Sequence, residues 1–182
     1  MTDQEILDGF KQDGWSREKA FNALVLRFRE RLYRVIRGMV SSHEDTDDIL
    51  QETFIKIYNN MHKFRGDSNL FTWVYRISVN VAISHRRKET IRRFFRLDDA
   101  PEQISKEPRP DETSEALELN RRITEAVKRL PEKQRIVFSL RFYDELSHEE
   151  ISKITGNPVG TIKANFFHAM NKVKSYVENK DE

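Results

Sequence analysis

The 182-residue chain contains no cysteine, which excludes disulfides, thiolate zinc sites and cysteine nucleophiles and suits a reducing cytoplasm. No apolar run approaches the ~20 residues of a membrane span, and the polar start Met1-Thr-Asp-Gln-Glu does not read as a signal peptide. The expectation is a cytoplasmic protein without direct membrane insertion. Glycine is scarce, with six residues, and none of them builds a Gly-rich phosphate loop or a serine elbow. The segment His148-Glu-Glu-Ile-Ser152 has the outline of a zinc-protease signature but puts Ser152 where the second histidine must stand. No catalytic residue, cofactor or metal is therefore expected.

Charged residues and helix formers are abundant instead. A charged fraction of 34% points to a soluble all-α fold, in one large or two small domains. The net charge of +2 hides an uneven distribution. Residues 92–120 carry five Lys or Arg against eight Asp or Glu, and mildly basic blocks lie on either side.

The most informative stretch is 146–170. Ser147 with Glu150 makes a capping box, so a helix should start there and turn Ile151 and Ile154 inward, with Gly156 ending it. Asn157 and Pro158 suit the start of a second helix, whose buried stripe is Val159, Ile162, Phe166, Met170 and Val173. Its opposite face presents Thr161, Lys163, Ala164, Phe167, His168 and Lys172. Two short helices with a tight turn form a helix-turn-helix, and cations, small groups and an aromatic on the second helix suit entry into a major groove. An ordinary helical hairpin with a solvated face fits the same segment.

The N-terminal block predicts a long amphipathic helix with Phe21, Leu24, Val25, Phe28, Leu32, Val35, Ile36 and Met39 as its inward stripe. Ser42 and Asp45 offer a second capping box before a helix with Ile49, Leu50, Phe54, Ile57 and Met61 as apolar positions. On its other side Asp45, Asp48 and Glu52 fall at i, i+3 and i+7, with Gln51 beside them. Such a face serves solubility or a basic partner. No histidine stands at i+3 or i+4 from these acids to make a carboxylate metal centre.

Residues 64–88 hold the densest mixture of aromatics and cations. Gly66 permits a bend, Asp67 or Ser68 can cap, and a helix should run from about Leu70. Trp73, Arg76, Asn80 and Arg87 then share a face: a flat ring, a base-pairing amide and guanidinium groups, the combination that holds bases pulled from a duplex. Trp73 alone is read as core packing.

Between Ile91 and Glu115 the periodicity fails among Pro101, Pro108 and Pro110, which predicts a flexible linker. Its ~24 residues reach at most ~80 Å, enough for two modules to touch duplex sites two helical turns apart. Beyond it, one helix from about Ser114 carries Leu117, Leu119, Ile123, Val127 and Leu130, and another from Pro131 carries Ile136, Val137 and Leu140. The expected organisation is a first helical domain at 1–91, a linker at 92–115 and a second helical domain at 116–182 that ends in the helix-turn-helix. The residues before Phe10 and after Tyr176 give no interpretable pattern.

Four segments in this order resemble the extracytoplasmic-function class of bacterial sigma factors, which keep only the second and fourth sigma domains. They are Asp47-Asp-Ile-Leu-Gln-Glu-Thr-Phe54, Phe64-Arg-Gly-Asp-Ser with Phe71-Thr-Trp-Val-Tyr-Arg-Ile and Asn80, Leu130-Pro-Glu-Lys-Gln-Arg, and Pro158-Val-Gly-Thr-Ile-Lys163. The resemblance spans about residues 18–177. It implies an alternative sigma factor whose partners are core RNA polymerase, promoter DNA and an anti-sigma factor. The face of Asp45, Asp48, Gln51 and Glu52 would dock on the clamp helices of the largest subunit, and the second domain would meet the flap. Phe64, Arg65, Asp67, Ser68 and Asn69, with Asn80, would hold a base flipped from the minus-ten element, while Trp73 and Arg76 would support melting and grip phosphates. Arg141 would reach the minus-thirty-five backbone, and Thr161, Lys163, Ala164, Phe167, His168 and Lys172 would belong to its readout surface.

The resemblance departs at Asn165 and His168, where many relatives carry arginine, so this readout helix is less cationic than usual. A regulator with the same helix-turn-helix but no polymerase docking would leave the loop and Asn80 without a task. A purely structural helical module would not explain why two separate regions pair cations with aromatics or with a readout surface.

Overall fold

The computed structural model describes residues 1–40, 42–95 and 114–178, without the side chains of Arg93 and Ser114. Among the described residues every regular element is helical. The expected all-α, two-domain architecture is present: α1 to α4 form the first domain, and α5 to α8 the second. Of the segment expected as a linker at 92–115, residues 92–95 instead continue α4 and 114–115 begin α5, and residues 96–113 lie outside the described residues.

Helix α1 (Asp3–Phe10) occupies residues that carried no expected structure. Thr2 and Glu5 close a capping box there, with the Glu5 amide donating to Thr2 Oγ1 at 3.2 Å and the Thr2 amide to Glu5 Oε2 at 2.7 Å. Ile6 is fully buried, and Asp3 receives Arg27 from the next helix. Helix α2 (Trp15–Met39) buries Leu24, Phe28, Leu32, Val35, Ile36 and Met39, as the spacing predicts, with Phe21 and Val25 half-buried at its rim. Helix α3 (His43–Asn60) starts on Ser42, whose Oγ accepts from the Asp45 amide at 2.9 Å. It buries Ile49, Leu50, Phe54 and Ile57, and a 3-10 turn (Met61–Lys63) adds Met61.

Helix α4 (Leu70–Phe95) starts later than a cap at Asp67 or Ser68 would allow. Asn69 is the cap, its Oδ1 accepting from the Thr72 amide at 2.8 Å, because it is the polar residue immediately before the first helical turn. Asp67 instead pairs with Arg65 at 3.1 Å.

In the second domain α5 (Ser114–Lys128) and α6 (Glu132–Tyr143) pack with α8 (Val159–Glu178) around Phe138, which is fully buried with Ala169 beside Ala126, Val127, Leu130 and Val173. Buried Arg135 closes the α5–α6 turn by donating to the carbonyls of Lys128 and, at 2.9 Å, Leu130. On the surface of α5, Arg121 and Arg122 converge on Glu118 and hold its carboxyl down to about 2. Helix α7 (His148–Thr155) has the expected Ser147–Glu150 box and ends at Gly156. The φ of +74° at Gly156 is a left-handed conformation that a side chain would strain.

Two details of α8 differ from expectation. Asn157 does not cap it: its side chain donates to the Thr155 carbonyl at 3.4 Å, and Pro158 supplies the carbonyl for the first helical bond, to the Ile162 amide at 3.1 Å. The inward stripe runs Ile162, Ala169, Val173 with Phe166 half-buried, while Met170 is exposed. Ala169 takes the buried position instead, in the cluster with Phe138. Leu119 on α5 is likewise exposed.

The two domains touch along α2–α6 and α4–α7, and their apolar residues run together there. Ile136, Val137, Leu140, Leu146, Ile151, Ile154 and Ile162 join the cluster that holds the first-domain core.

Candidate nucleic-acid interface

Three surfaces carry the residues singled out in the sequence. On α3, Asp48 and Gln51 are exposed and Glu52 is half-exposed. Lys56 pairs with Glu52 at 2.7 Å and, by that hydrogen bond first, holds its carboxyl below the ordinary glutamate value. Asp45 stands apart in role. Its Oδ2 accepts from Ser42 Oγ at 2.7 Å, and its Oδ1 lies 3.5 Å from His85 Nε2, so part of its acceptor capacity serves the fold. Ile55 was not singled out, yet it is 51% exposed and follows Asp48 by seven residues and Gln51 by four, on the same face. Its signal in the sequence is that it falls off the inward stripe of α3.

The second surface is the loop before α4 and the outer side of that helix. Phe64 meets Trp73 edge to face at 5.5 Å, and both are half-buried against the first-domain core. Trp73 is therefore partly a packing residue, as read from the sequence, with a face still reachable. Arg65 and Asp67 are exposed on either side of Gly66, and Asn69 commits Oδ1 to the cap. Arg76 and Asn80 stand exposed on successive turns. Arg76 donates to the carbonyl of Lys153 on α7 at 2.7 Å, and Arg87 lies 3.5 Å from Glu132 at the start of α6.

The third surface is the outer face of α8. Thr161, Lys163, Ala164, Phe167, His168 and Lys172 are all exposed, while Ile162, Ala169 and Val173 fasten the helix from behind. The rings of Phe167 and His168 lie 5.8 Å apart. Asn165 donates to the Thr161 carbonyl at 3.0 Å, which turns its amide along the helix. Arg141 is half-buried and donates to the carbonyls of Glu145 at 3.3 Å and Leu146 at 3.0 Å, so its guanidinium is fixed at the entrance to α7.

One side chain that sequence reasoning did not single out stands at the junction of the domains. Asp144 lies in the α6–α7 turn with its side chain 2% exposed, and it accepts from Arg31 Nε at 3.0 Å and Nη2 at 3.1 Å. Arg34 approaches it at 3.6 Å, and the Tyr75 hydroxyl donates to it. Burial first, and that hydrogen bond second, push the Tyr75 phenol far up, so it stays a donor. An acid in a turn gives no signal of a contact 113 residues away in sequence.

No group of three or more His, Asp or Glu among the described residues could hold a metal ion, and no helix among them is long and apolar enough to cross a membrane.

Comparison with known proteins bears on these surfaces. Residues 24–91 match the family model for sigma-70 region 2, and residues 120–173 that for sigma-70 region 4. The chain is 32% identical to the ECF RNA polymerase sigma-E factor of Salmonella typhimurium, covering 98% of this chain and 95% of that one. Identity to its counterpart in Haemophilus influenzae is 30%, with 98% and 96% covered. The fold resembles that of CnrH in complex with the cytosolic domain of CnrY, with a TM-score of 0.71 at 20% identity over 97% of each chain. It also resembles the sigma factor RpoE of Bartonella quintana in complex with the anti-sigma factor NepR, with a TM-score of 0.72 at 23% identity over 88% of this chain and 98% of that one. With both regions matched in order and relatives aligned from end to end, the chain belongs to the extracytoplasmic-function class of RNA polymerase sigma factors, and it is an alternative sigma factor that directs the polymerase to promoters.

Proposed function

We propose that the three surfaces divide the work of promoter selection between two domains, the first ending with α4 at Phe95 and the second beginning with α5 at Ser114. The α3 face of Asp48, Gln51 and Glu52, with Asp45 at its edge and Ile55 continuing it, docks on the clamp helices of the polymerase largest subunit. An apolar side chain within an acidic face adds buried area to charge complementarity, which raises affinity where charge alone chiefly steers encounter.

The loop Phe64–Asn69 and the outer side of α4 receive the non-template strand of the minus-ten element. Asn80 reads the flipped base, Trp73 offers its open face for stacking, and Arg76 meets phosphate. The α8 face reads the minus-thirty-five element in the major groove, Arg141 adds a backbone contact, and the second domain rests on the polymerase flap. The observation that carries this reading is the α8 face: six exposed residues of the expected types on a helix fastened from behind by buried Ile162, Ala169 and Val173. A readout helix needs that rigidity, because base contacts tolerate little displacement.

The protein performs no covalent chemistry in this scheme. It acts in the cytoplasm as a reversible subunit, and its binding energy selects the promoter and holds it open. An anti-sigma factor, the kind of partner seen with the RpoE of Bartonella quintana, holds it inactive between inductions.

Core-polymerase binding tests the docking assignment. Asp48→Ala/Glu52→Ala should weaken affinity for purified bacterial core polymerase by about tenfold or more, from two charge-assisted contacts of roughly 1 kcal/mol each, with helix content unchanged. Unaltered affinity would remove the α3 face from the docking surface.

A further inference from the structure

Ser152 breaks the metal-binding outline of His148-Glu-Glu-Ile-Ser152, and the structure gives it a different partner. From the second half of α7 its hydroxyl donates to the carbonyl of Asn157 at 2.6 Å. That carbonyl stands just ahead of the first helical bond of α8, which the Pro158 carbonyl makes. The other polar links of Asn157 are longer: its amide reaches Thr155 Oγ1 at 3.4 Å, and its side chain the Thr155 carbonyl at 3.4 Å. The Gly156 amide, donating to the Ser152 carbonyl at 2.8 Å, closes α7 itself. Of these bonds, only that of the Ser152 hydroxyl ties the body of α7 to the entry of α8 at short range.

Ile151, Ile154 and Ile162 are buried in one cluster and also hold the two helices together, but apolar contact fixes a separation and carries no direction. A hydrogen bond has both. Over the ~21 Å of helix from Pro158 to Lys172, a tilt of about 5° moves the far end of the reading face by about 2 Å, several times the ~0.5 Å that a recognition site tolerates. The face of α8 has little reach to absorb such an error. Residues 159–178 contain no arginine, the side chain that grips guanine with two bonds, and the Asn165 amide is turned to the Thr161 carbonyl. Outward stand Thr161, Ala164 and Phe167, short or apolar groups whose contacts fade within about an ångström.

We propose that Ser152 is a positioning residue for promoter recognition: its bond to Asn157 sets the angle at which α8 leaves the turn, and discrimination at the minus-thirty-five element depends on it. This role rests on the proposed readout by α8 and assigns the aim of that helix to one hydroxyl. The hydroxyl proton is spent on Asn157, so the serine acts through the helix and not on the DNA.

Discrimination is read with core polymerase saturated with the protein. The complex is competed between a promoter fragment found by library transcription and the same fragment with its minus-thirty-five element scrambled. Ser152→Ala should lower the ratio of the two affinities about fivefold, the equivalent of one good contact. Ser152→Thr, which keeps the hydroxyl, should stay within about twofold of the wild type. Affinity for core polymerase should not change, nor the thermal midpoint by more than about 2 °C: Asn157 is exposed, so water replaces the hydroxyl at its carbonyl, and alanine is the better helix former.

A ratio unchanged in Ser152→Ala but lowered in Phe167→Ala would overturn the assignment to Ser152 and leave α8 as the reader. Equal loss on both fragments would overturn it too, making Ser152 a phosphate contact. So would a midpoint lowered by several degrees, which marks a role in the fold alone, or a threonine that behaves like alanine. A wild-type ratio near unity, or one that neither Phe167→Ala nor Lys163→Ala moves, would remove the readout by α8 and the role of Ser152 with it.

Discussion

Asn80 and Lys163 are proposed DNA contacts that single substitutions test. Asn80 is exposed on α4 one turn beyond Arg76, and a base held by its amide is worth about one net hydrogen bond. Asn80→Ala should therefore lower promoter opening about fivefold, for roughly 1 kcal/mol, while core-polymerase binding stays unchanged; permanganate reactivity of the melted thymines checks it. Lys163 stands on the α8 face and should contribute one phosphate contact or base-edge contact. If the contact is to phosphate, Lys163→Ala will weaken duplex binding across sequences alike and reduce the salt slope of log K by about 1; a base-specific loss at constant slope would make it a reader instead. Residue type and helical spacing predicted that both would stand on an outer face, and both are exposed. Asp144 was not legible, because its partners come from helices 113 and 69 residues away and no local pattern records such a contact. Met170 shows the converse: its spacing fits the buried stripe, yet Ala169 takes the buried position and Met170 is exposed.

At the scale of the element, the caps at Ser42 and Ser147 were legible, whereas those expected at Asp67 or Ser68 and at Asn157 are not made. Ser147 with Glu150 forms the box expected of it, with the Glu150 amide donating to Ser147 Oγ at 3.1 Å and the Ser147 amide to Glu150 Oε2 at 2.8 Å. A helix of eight residues has little stability of its own, so this cap and the burial of Ile151 and Ile154 hold α7 in place. Ser147→Ala should destabilise the chain by about 1 kcal/mol in thermal or urea melts, and duplex binding should weaken with it as α7 ceases to support α8. An unchanged midpoint would show that tertiary burial alone positions α7. The same rule applied to Thr2 and Glu5 reads α1 directly, but that box precedes a helix of only eight residues whose buried anchor is the single Ile6, too short a run for periodicity to register. At α4 the competing candidates Asp67, Ser68 and Asn69 could not be ranked from sequence, since the choice depends on where the loop through Gly66 delivers the chain.

For the whole molecule, the order of parts made the two-domain helical architecture readable: an acidic helix, an aromatic-rich helix and, after an apolar-poor stretch, a helix-turn-helix. How the domains sit against each other was not readable, because it depends on a seam of apolar residues from both cores and on the missing side chain at Gly38. The three separated faces are proposed to act together only on the polymerase. The most direct measurement is in vitro transcription of a genomic fragment library by purified bacterial core polymerase, with and without this protein. Start sites should appear only with the protein present, share two sequence elements about two helical turns apart, and vanish with Asp48→Ala/Glu52→Ala. Polymerase that gains no start site, while the protein alone retards specific fragments, would contradict this reading and leave a DNA-binding regulator in its place.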